Sequence, residues 1–426
     1  MIDIKLLRAE PDLVKAGCAK KRIACDIDRI LELDASFREL APRLDDLRAE
    51  QRAAGKTIAK AKPEERQALA ASLGELKATI KDLEAQIATI KDELDPLLLT
   101  VPNPPADAVP EGKDDTENVE LETWGTPRSF DFEPLDHVAI GEAQGWLMVE
   151  TAATIAGSRN YITRGDLARL EHAVLRFALD MMIERGFEPA IVPVLVRREP
   201  LEGTGYFPGG EDQIYRTDER DELFLVGTAE VPLTSLHAGE ILELDQLPIK
   251  LVAQSSCYRR EAGTYGKDTR GLYRVHQFQK VEQVVLDVAD QERSLEHHQM
   301  ILQNALDLLQ AFELPYRVVN VCGGDLGAAQ VQKFDVETWM PSREGYGETH
   351  SASRFHEYQA RRLKLRYRDA EGKVHFCHTL NNTVAASSRI LIALLENHQG
   401  PDGRVWVPEA LRPAMGGAEW IGKPIR

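Results

Sequence analysis

Arg274, His276, Phe278, Lys280 and Glu282 occupy every second position of one short stretch, and Arg259 and Glu261 stand on the other side of a Gly-rich, charged interruption at 263–271. Residues i, i+2 and i+4 of a strand share a face, so His276, Phe278, Lys280 and Glu282 are expected to point the same way. Such a face carries a flat aromatic ring, two bases and a carboxylate. It is a poor surface to bury and a good one on which to lay a planar, polyanionic ligand. The alternation alone also fits a solvated hairpin whose loop is charged because it is exposed.

No Walker A string accompanies it, and GTGYFPG at 203–209 fails the G-x-G-x-x-G pattern. A bound nucleotide would therefore be held by arginines and a sheet face. A second arginine is available at Arg389, early in an amphipathic stretch that follows a short strand in HTLNNTVAASSRILIALLENHQ, and a helix N-terminus favours anions.

The elements that must position these residues can be read from patterning. A chain of 426 residues suits two or three domains. Its hydrophobic fraction is 43%, and no apolar run approaches the ~18 residues of a membrane span. The opening MIDIKLLRAEPDLVKAG lacks the apolar segment of a signal peptide. Cysteines 18, 25, 257, 322 and 377 are dispersed, without CxxC or metal-ligand spacing. That usage fits reduced thiols in a cytoplasm and no structural zinc.

The net charge of −17 argues against a generic nucleic-acid binder, yet one segment runs the other way. Arg48, Arg52, Lys56, Lys60, Lys62 and Arg66 outnumber three acidic residues between them. On either side lie heptad seams: Leu33, Phe37, Leu40, Leu44 and Leu47, then Leu69, Leu73, Leu76, Ile80, Leu83, Ile87, Ile90, Leu94 and Leu97. The spacing predicts an antiparallel coiled-coil hairpin over about 27–98, reversing between Gly55 and Pro63 and bent at Pro42. A helix of about thirty residues spans roughly 45 Å. Periodicity alone favours a dimerisation zipper, but a basic tip suits an arm that presents cations to phosphates.

Pro102, Pro104, Pro105 and Pro110 mark 102–115 as a stiff linker between an N-terminal domain at 1–101 and a mixed helix–strand domain at 116–426. Within the latter, 167–185 predicts a helix stopped by Gly186, and FEPAIVPVL a strand whose prolines confine it to an edge.

CYRREAGTYGKDTRGLYRVHQFQKVE, with its R-x-E-A-G, D-T-R-G and H-Q-F-x-K-V-E blocks, resembles motif 2 of class II aminoacyl-tRNA synthetases in its seryl-tRNA synthetase version. The opening M-I-D-I-K-L-L-R-x-x-P-D, the segments GETHSAS and QARRLKLRYR, and the helix–Gly–strand–Pro193 arrangement resemble the same family. The resemblance covers nearly the whole chain. It implies an α+β fold, an antiparallel sheet flanked by helices, with the N-terminal coiled-coil arm gripping the long variable arm of serine tRNA. It implies a cytoplasmic homodimer, not bound to membranes, that activates L-serine with ATP and Mg²⁺ and loads serine tRNA at its 3′-end, selenocysteine tRNA included.

The family's roles fall as follows. Arg259, Arg389 and Glu282 would be catalytic. Thr228, Ala229, Glu230, Arg259, Glu282, Asn381 and Thr383 would bind serine. ATP would meet Arg259, Arg260, Glu261, Val275, Phe278, Glu348, Thr349, His350, Ser351 and Arg389, with Mg²⁺ on Glu348 and Ser351. Many relatives write the third motif as L-N-G-S-G-L-A-V-G-R, whereas LNNTVAA here keeps a hydroxyl at Thr383 and places Val384 where glycine or alanine is usual. Two other classes share these features: an amino-acid-activating relative that loads a carrier protein, and a silent paralogue acting as a binding module. The basic-tipped arm argues against the first, and intact Arg259, Glu261, Glu282, Glu348 and Arg389 against the second.

Overall fold

The structure, a computed structural model, describes residues 1–60, 62–263 and 270–425, and the side chains of residues 59, 60, 63 and 68 lie outside that description. Asp268 and Thr269 of the motif 2 loop, and the Lys60 side chain at the arm's tip, are thus outside it. The chain divides into two compact units, 1–19 with 23–104 and 20–22 with 105–426.

In the first unit, helix α1 (Ile27–Lys60) and helix α2 (Pro63–Thr100) form the hairpin. Its seam buries Leu44, Ile80 and Leu83, with Leu40, Leu47, Leu76 and Ile87 packed around them. Ion pairs Arg48–Glu84 (2.8 Å) and Arg29–Glu93 (2.7 Å) cross it. The reversal is tighter than the glycine suggested, because Gly55 stays inside α1. Helix α1 also continues through Pro42, at the cost of one backbone hydrogen bond. Packing along the seam compensates, since most helical stability in proteins comes from a buried face.

The second unit is built on an eight-stranded sheet among the described residues. Its strands are β1 (Val119–Trp124), β2 (Glu188–Pro189), β3 (Ile249–Tyr258), β4 (Gln277–Asp287), β5 (Tyr316–Asn320), β6 (Gln332–Met340), β7 (Gly345–His356) and β8 (His378–Ala386). Their order is β1-β5-β6-β7-β8-β4-β3-β2, antiparallel throughout except for the β2–β3 edge pair. Helices α3 (Gly165–Glu184), α6 (Gln291–Ala311) and α8 (Ser387–Asn397) pack on the sheet. Short helices α4 (Arg198–Thr204), α5 (Glu230–Thr234) and α7 (Tyr358–Leu363) also belong to this unit.

Helix α3 ends where expected: Gly186 adopts φ +80°, and the Gly186 and Phe187 amides donate back to Ile183 and Met182. The run 187–195 does not form one strand. Only Glu188–Pro189 joins the sheet edge, and Leu195–Val196 pairs instead with Leu225 and Phe224. Pro189 and Pro193 have no N–H to extend a ladder.

Strand alternation separates core from site. Val281 and Val285 of β4, Val252 of β3, Leu380 and Val384 of β8 and Ala352 of β7 enter the main core with α3, α6 and α8. Phe278, Lys280 and Glu282 take the other face, which continues as Val284 and Leu286 beneath Ala229, Leu233, Ala360 and Leu363. The polar patch therefore spans three alternate positions before the face turns apolar.

Candidate functional site

Strand β4 begins at Gln277, so His276 lies just before the ladder. Its ring is turned against Tyr215 and its Nδ1 meets the Arg259 carbonyl at 2.9 Å, so it does not share the face of Phe278, Lys280 and Glu282. Arg259, immediately after β3, is fixed by donation of its amide to the His276 carbonyl (2.9 Å). Its guanidinium lies 5.3 Å from the centre of the Phe278 ring. Val275 packs with Phe278, Cys257 and Ala386 at the pocket's floor. Glu261 has a left-handed backbone (φ +50°) and its carboxylate lies 3.4 Å from Arg274. Arg260 departs from this group and lines a neighbouring cleft of about 980 Å³ with Arg197, Tyr215 and Arg216.

Arg389 reaches the same pocket from the first turn of α8. It donates to the Glu348 carbonyl (2.6 Å), lies 3.4 Å from the Glu348 carboxylate, and covers the Tyr273 ring at 4.5 Å. Thr349 and His350 behave differently. Thr349 Oγ1 bonds Thr338 Oγ1 (2.7 Å), and His350 Nε2 meets the Val384 carbonyl (3.0 Å). Burial pushes the His350 ring down to about 4, so it is neutral near pH 7. The polar atoms of both side chains are bonded within the fold, and of the two Thr349 lines the pocket beside Glu348.

Ser351 stands opposite Asp335 in the β6–β7 register, and its hydroxyl bonds the Asp335 carboxylate. Lys333 Nζ lies 3.1 Å from one Asp335 oxygen, while the other, Oδ1, is buried without a partner among the described residues. Burial raises the Asp335 carboxyl to about 6 against the pull of Lys333, with Glu348 adding to the rise. An orphaned carboxylate oxygen beside a hydroxyl and Glu348 is a donor set of hard oxygens, the kind Mg²⁺ prefers. Among the described residues no group of three or more His, Cys, Asp or Glu forms a metal cluster.

Deeper in the same face lies a small polar chamber. Glu282 is 2% exposed and ion-paired with Lys280; Thr383 stands opposite it, with its hydroxyl 3.4 Å from the carboxylate. Glu230 opens α5, and its amide donates to Thr228 Oγ1 (3.1 Å). Burial pushes the Glu230 carboxyl up to about 7, and the nearby Glu282 charge adds to the shift. Asn381 Nδ2 is a buried donor with no partner among the described residues. Ala229 packs wholly into the apolar cluster beneath and offers no polar side-chain atom. Val384, beside Thr383, faces away into the main core, so its bulk takes no volume from the chamber. Two buried carboxylates, one ammonium and an unpaired amide donor make a chamber that lacks a cation and an acceptor.

Sequence reasoning missed Asp335, Lys333, Tyr206 and Gln359. The alternation of Lys333, Asp335 and Glu337 in a strand-like run was a signal for the first two. Tyr206 and Gln359 lie in GTGYFPGGEDQ and QARRLKLRYR, segments that resemble the family, but nothing in those strings singles out either side chain.

Residues 1–105 match the seryl-tRNA synthetase N-terminal domain, and 214–398 match the tRNA synthetase class II core domain (G, H, P, S and T). The chain is 50% identical to the serine–tRNA ligase of Deinococcus radiodurans over 426 residues, covering all of both chains. Its fold matches the crystal structure of seryl-tRNA synthetase from Pyrococcus horikoshii complexed with ATP, with TM-score 0.90 and 39% identity over 99% of each chain. It also matches the cytoplasmic serine–tRNA ligase of Naegleria fowleri in complex with AMP, with TM-score 0.87 and 31% identity over 99% of each chain. An N-terminal helical hairpin and a site of arginines and buried carboxylates on one sheet face accompany this likeness over the full length. The chain belongs to the seryl-tRNA synthetase family of class II aminoacyl-tRNA synthetases.

Proposed function

We propose that this protein activates L-serine with ATP and transfers the seryl group to the 3′-end of serine tRNA. The observation that carries the reading is the chamber of Glu230, Glu282 and Thr383 beside Arg259 and Phe278. Its missing charge is one ammonium, its hydroxyl side suits a serine side chain, and its open end leads to a ring and two arginines. Glu230 and Thr228 take the α-ammonium, Glu282 and Thr383 the side-chain hydroxyl, and Asn381 supplies a further donor.

Arg259 then reaches both the substrate carboxylate and the α-phosphate. A serine carboxylate oxygen attacks the α-phosphorus in line, the bond to the bridging oxygen breaks, and pyrophosphate leaves with its electron pair. Arg389 steadies the departing phosphates, while Phe278 and Glu261 hold the adenine. Catalysis here is positioning and charge stabilisation, and no side chain must act as general base. Glu348 and Ser351, with Asp335, would hold Mg²⁺, which supplies positive charge to the phosphates when bound. In the second step the tRNA 3′-hydroxyl attacks the seryl carbonyl, the bond from that carbon to the phosphate oxygen breaks, and AMP leaves as its phosphate accepts the hydroxyl proton.

The hairpin's basic residues Arg48, Arg52, Lys56, Lys62 and Arg66 support an arm for the long variable arm of the tRNA. Ile191 is fully exposed, and Leu195 and Leu236 are 43% and 55% exposed, around an apolar groove. That patch supports a homodimer through this edge. No helix among the described residues is long and apolar enough to cross a membrane, and a cytoplasmic site is part of this reading.

Serine-dependent ATP–pyrophosphate exchange, followed by charging of a serine tRNA, tests the proposal. Exchange with serine but not alanine is expected. A folded chain that exchanges with neither overturns it.

A further inference from the structure

Glu230 is 7% exposed, and both of its carboxylate oxygens are held from outside its own helix. The Tyr206 hydroxyl donates to Oε2 at 3.1 Å, and Gln359 Nε2 donates to Oε1 at 2.9 Å. Gln359 is in turn fixed. Its Nε2 also donates to the Thr204 carbonyl (3.0 Å), and its Oε1 accepts from Thr379 Oγ1 (2.6 Å). With two acceptors on one side and a hydroxyl on the other, only one orientation of this amide satisfies every atom. Gln359 and Thr379 are completely buried. The loop after α4, helix α7 and strand β8 thus converge on one carboxylate.

The charged groups around Glu230 explain why it needs such support. Strand β4 contributes Glu282 and Lys280, already paired with each other. Tyr206 faces it from the loop after α4, and Arg259 acts on the Tyr206 ring from the end of β3. Two carboxylates therefore share one ammonium in a buried space, which favours protonation of the less well paired, Glu230. Its carboxyl lies at about 7, with burial the largest cause and Glu282 the next.

We propose that Tyr206 and Gln359 are positioning residues for serine recognition, whose two hydrogen bonds fix the Glu230 carboxylate and keep it in the charged form that receives the substrate's ammonium. This rests on the assignment of Glu230 to serine. Donors stabilise a carboxylate over its acid and so lower its pKa. Their removal raises it, and the acid limb of serine affinity moves to higher pH. A purely structural contribution would weaken binding by the same factor at every pH.

The test is serine affinity by calorimetry on the full chain, from about pH 5.5 to about 8.5, for wild type, Tyr206→Phe and Gln359→Met, with ATP affinity measured on the same samples. Wild-type affinity is expected to fall as pH drops through about 7. In each variant the limb moves up by roughly half to one unit, giving about two- to five-fold weaker binding at neutral pH. Near pH 8.5 the difference shrinks to about two-fold or less, and ATP affinity is unchanged. Variants that match wild type, that weaken equally at all pH values, or that lose ATP binding overturn the inference. Tyr206→Phe removes one oxygen and keeps the ring, so it carries the test alone if Gln359→Met fails to fold. A wild-type chain that binds ATP but not serine overturns the underlying assignment instead.

Discussion

Thr383 stands directly opposite Glu282 in the β4–β8 register, and its hydroxyl lies 3.4 Å from the buried carboxylate. Removing that hydroxyl leaves Glu282 with Lys280 alone and takes away a polar partner for the substrate side chain. Thr383→Val should lower kcat/KM for serine by roughly 10- to 100-fold and so narrow its margin over alanine. Exchange kinetics with both amino acids measure this, and unchanged selectivity would show that Thr383 does not read the hydroxyl.

Arg259→Ala should abolish activation. The guanidinium lies beside the Phe278 ring and lines the same pocket as Lys280 and Arg389. A loss of at least roughly 10³-fold in exchange is expected, with the fold intact by circular dichroism. Near-normal exchange would refute its assignment.

Arg389→Ala should act on the nucleotide side. The guanidinium holds both the carbonyl and the carboxylate of Glu348. Its loss should reduce kcat/KM for ATP by roughly 10²-fold or more and leave serine affinity within about two-fold. Separate titrations of the two substrates distinguish this from general damage to the pocket.

Replacing Arg52, Lys56, Lys62 and Arg66 with Gln should leave exchange untouched and weaken tRNA charging. The slope of log affinity for tRNA against log salt should fall by roughly 0.7–0.9 for each phosphate that the tip no longer neutralises. An unchanged slope would show that the tip does not meet the tRNA backbone.

Acid should destabilise the catalytic unit. Burial pushes His298 and His398 down to about 4; each bonds a backbone carbonyl through Nε2, to Ala352 at 3.0 Å and Phe312 at 2.8 Å. The unfolded chain takes up these protons near its ordinary value of about 6.5, and the native state refuses them. Stability present above about 6.5 is therefore lost as pH falls toward about 4, by roughly 1.4 kcal/mol per pH unit for each ring. Urea midpoints across that range should show the loss, and His398→Gln should flatten it.

The parts legible in the sequence were those encoded locally. Heptad spacing gave the hairpin, and i, i+2 alternation put Phe278, Lys280 and Glu282 on one face. His276 failed the same rule because the ladder begins one residue later, a boundary set by tertiary pairing. Of the segment Glu348–His350, Glu348 and Thr349 line the pocket, while the His350 ring meets the Val384 carbonyl, a partner that only the β7–β8 packing brings near. Asp335 stayed hidden because its relation to Ser351 exists only across the β6–β7 ladder. Gln359 needed three distant segments to meet before its amide had any partner.

Strand β8 writes two messages in alternate letters. Asn381 and Thr383 address the chamber, while Leu380 and Val384 address the core, and Asn382 donates to the Ile301 carbonyl of α6 at 2.6 Å. On the proposed assignment, substrate preference and foldability are encoded at interleaved positions with little shared vocabulary. A library that randomises only positions 381 and 383 can explore new amino acids while the hydrophobic packing of the strand stays as it was. Single-residue insertions are another matter: one added residue would exchange the two messages along everything that follows it in the strand.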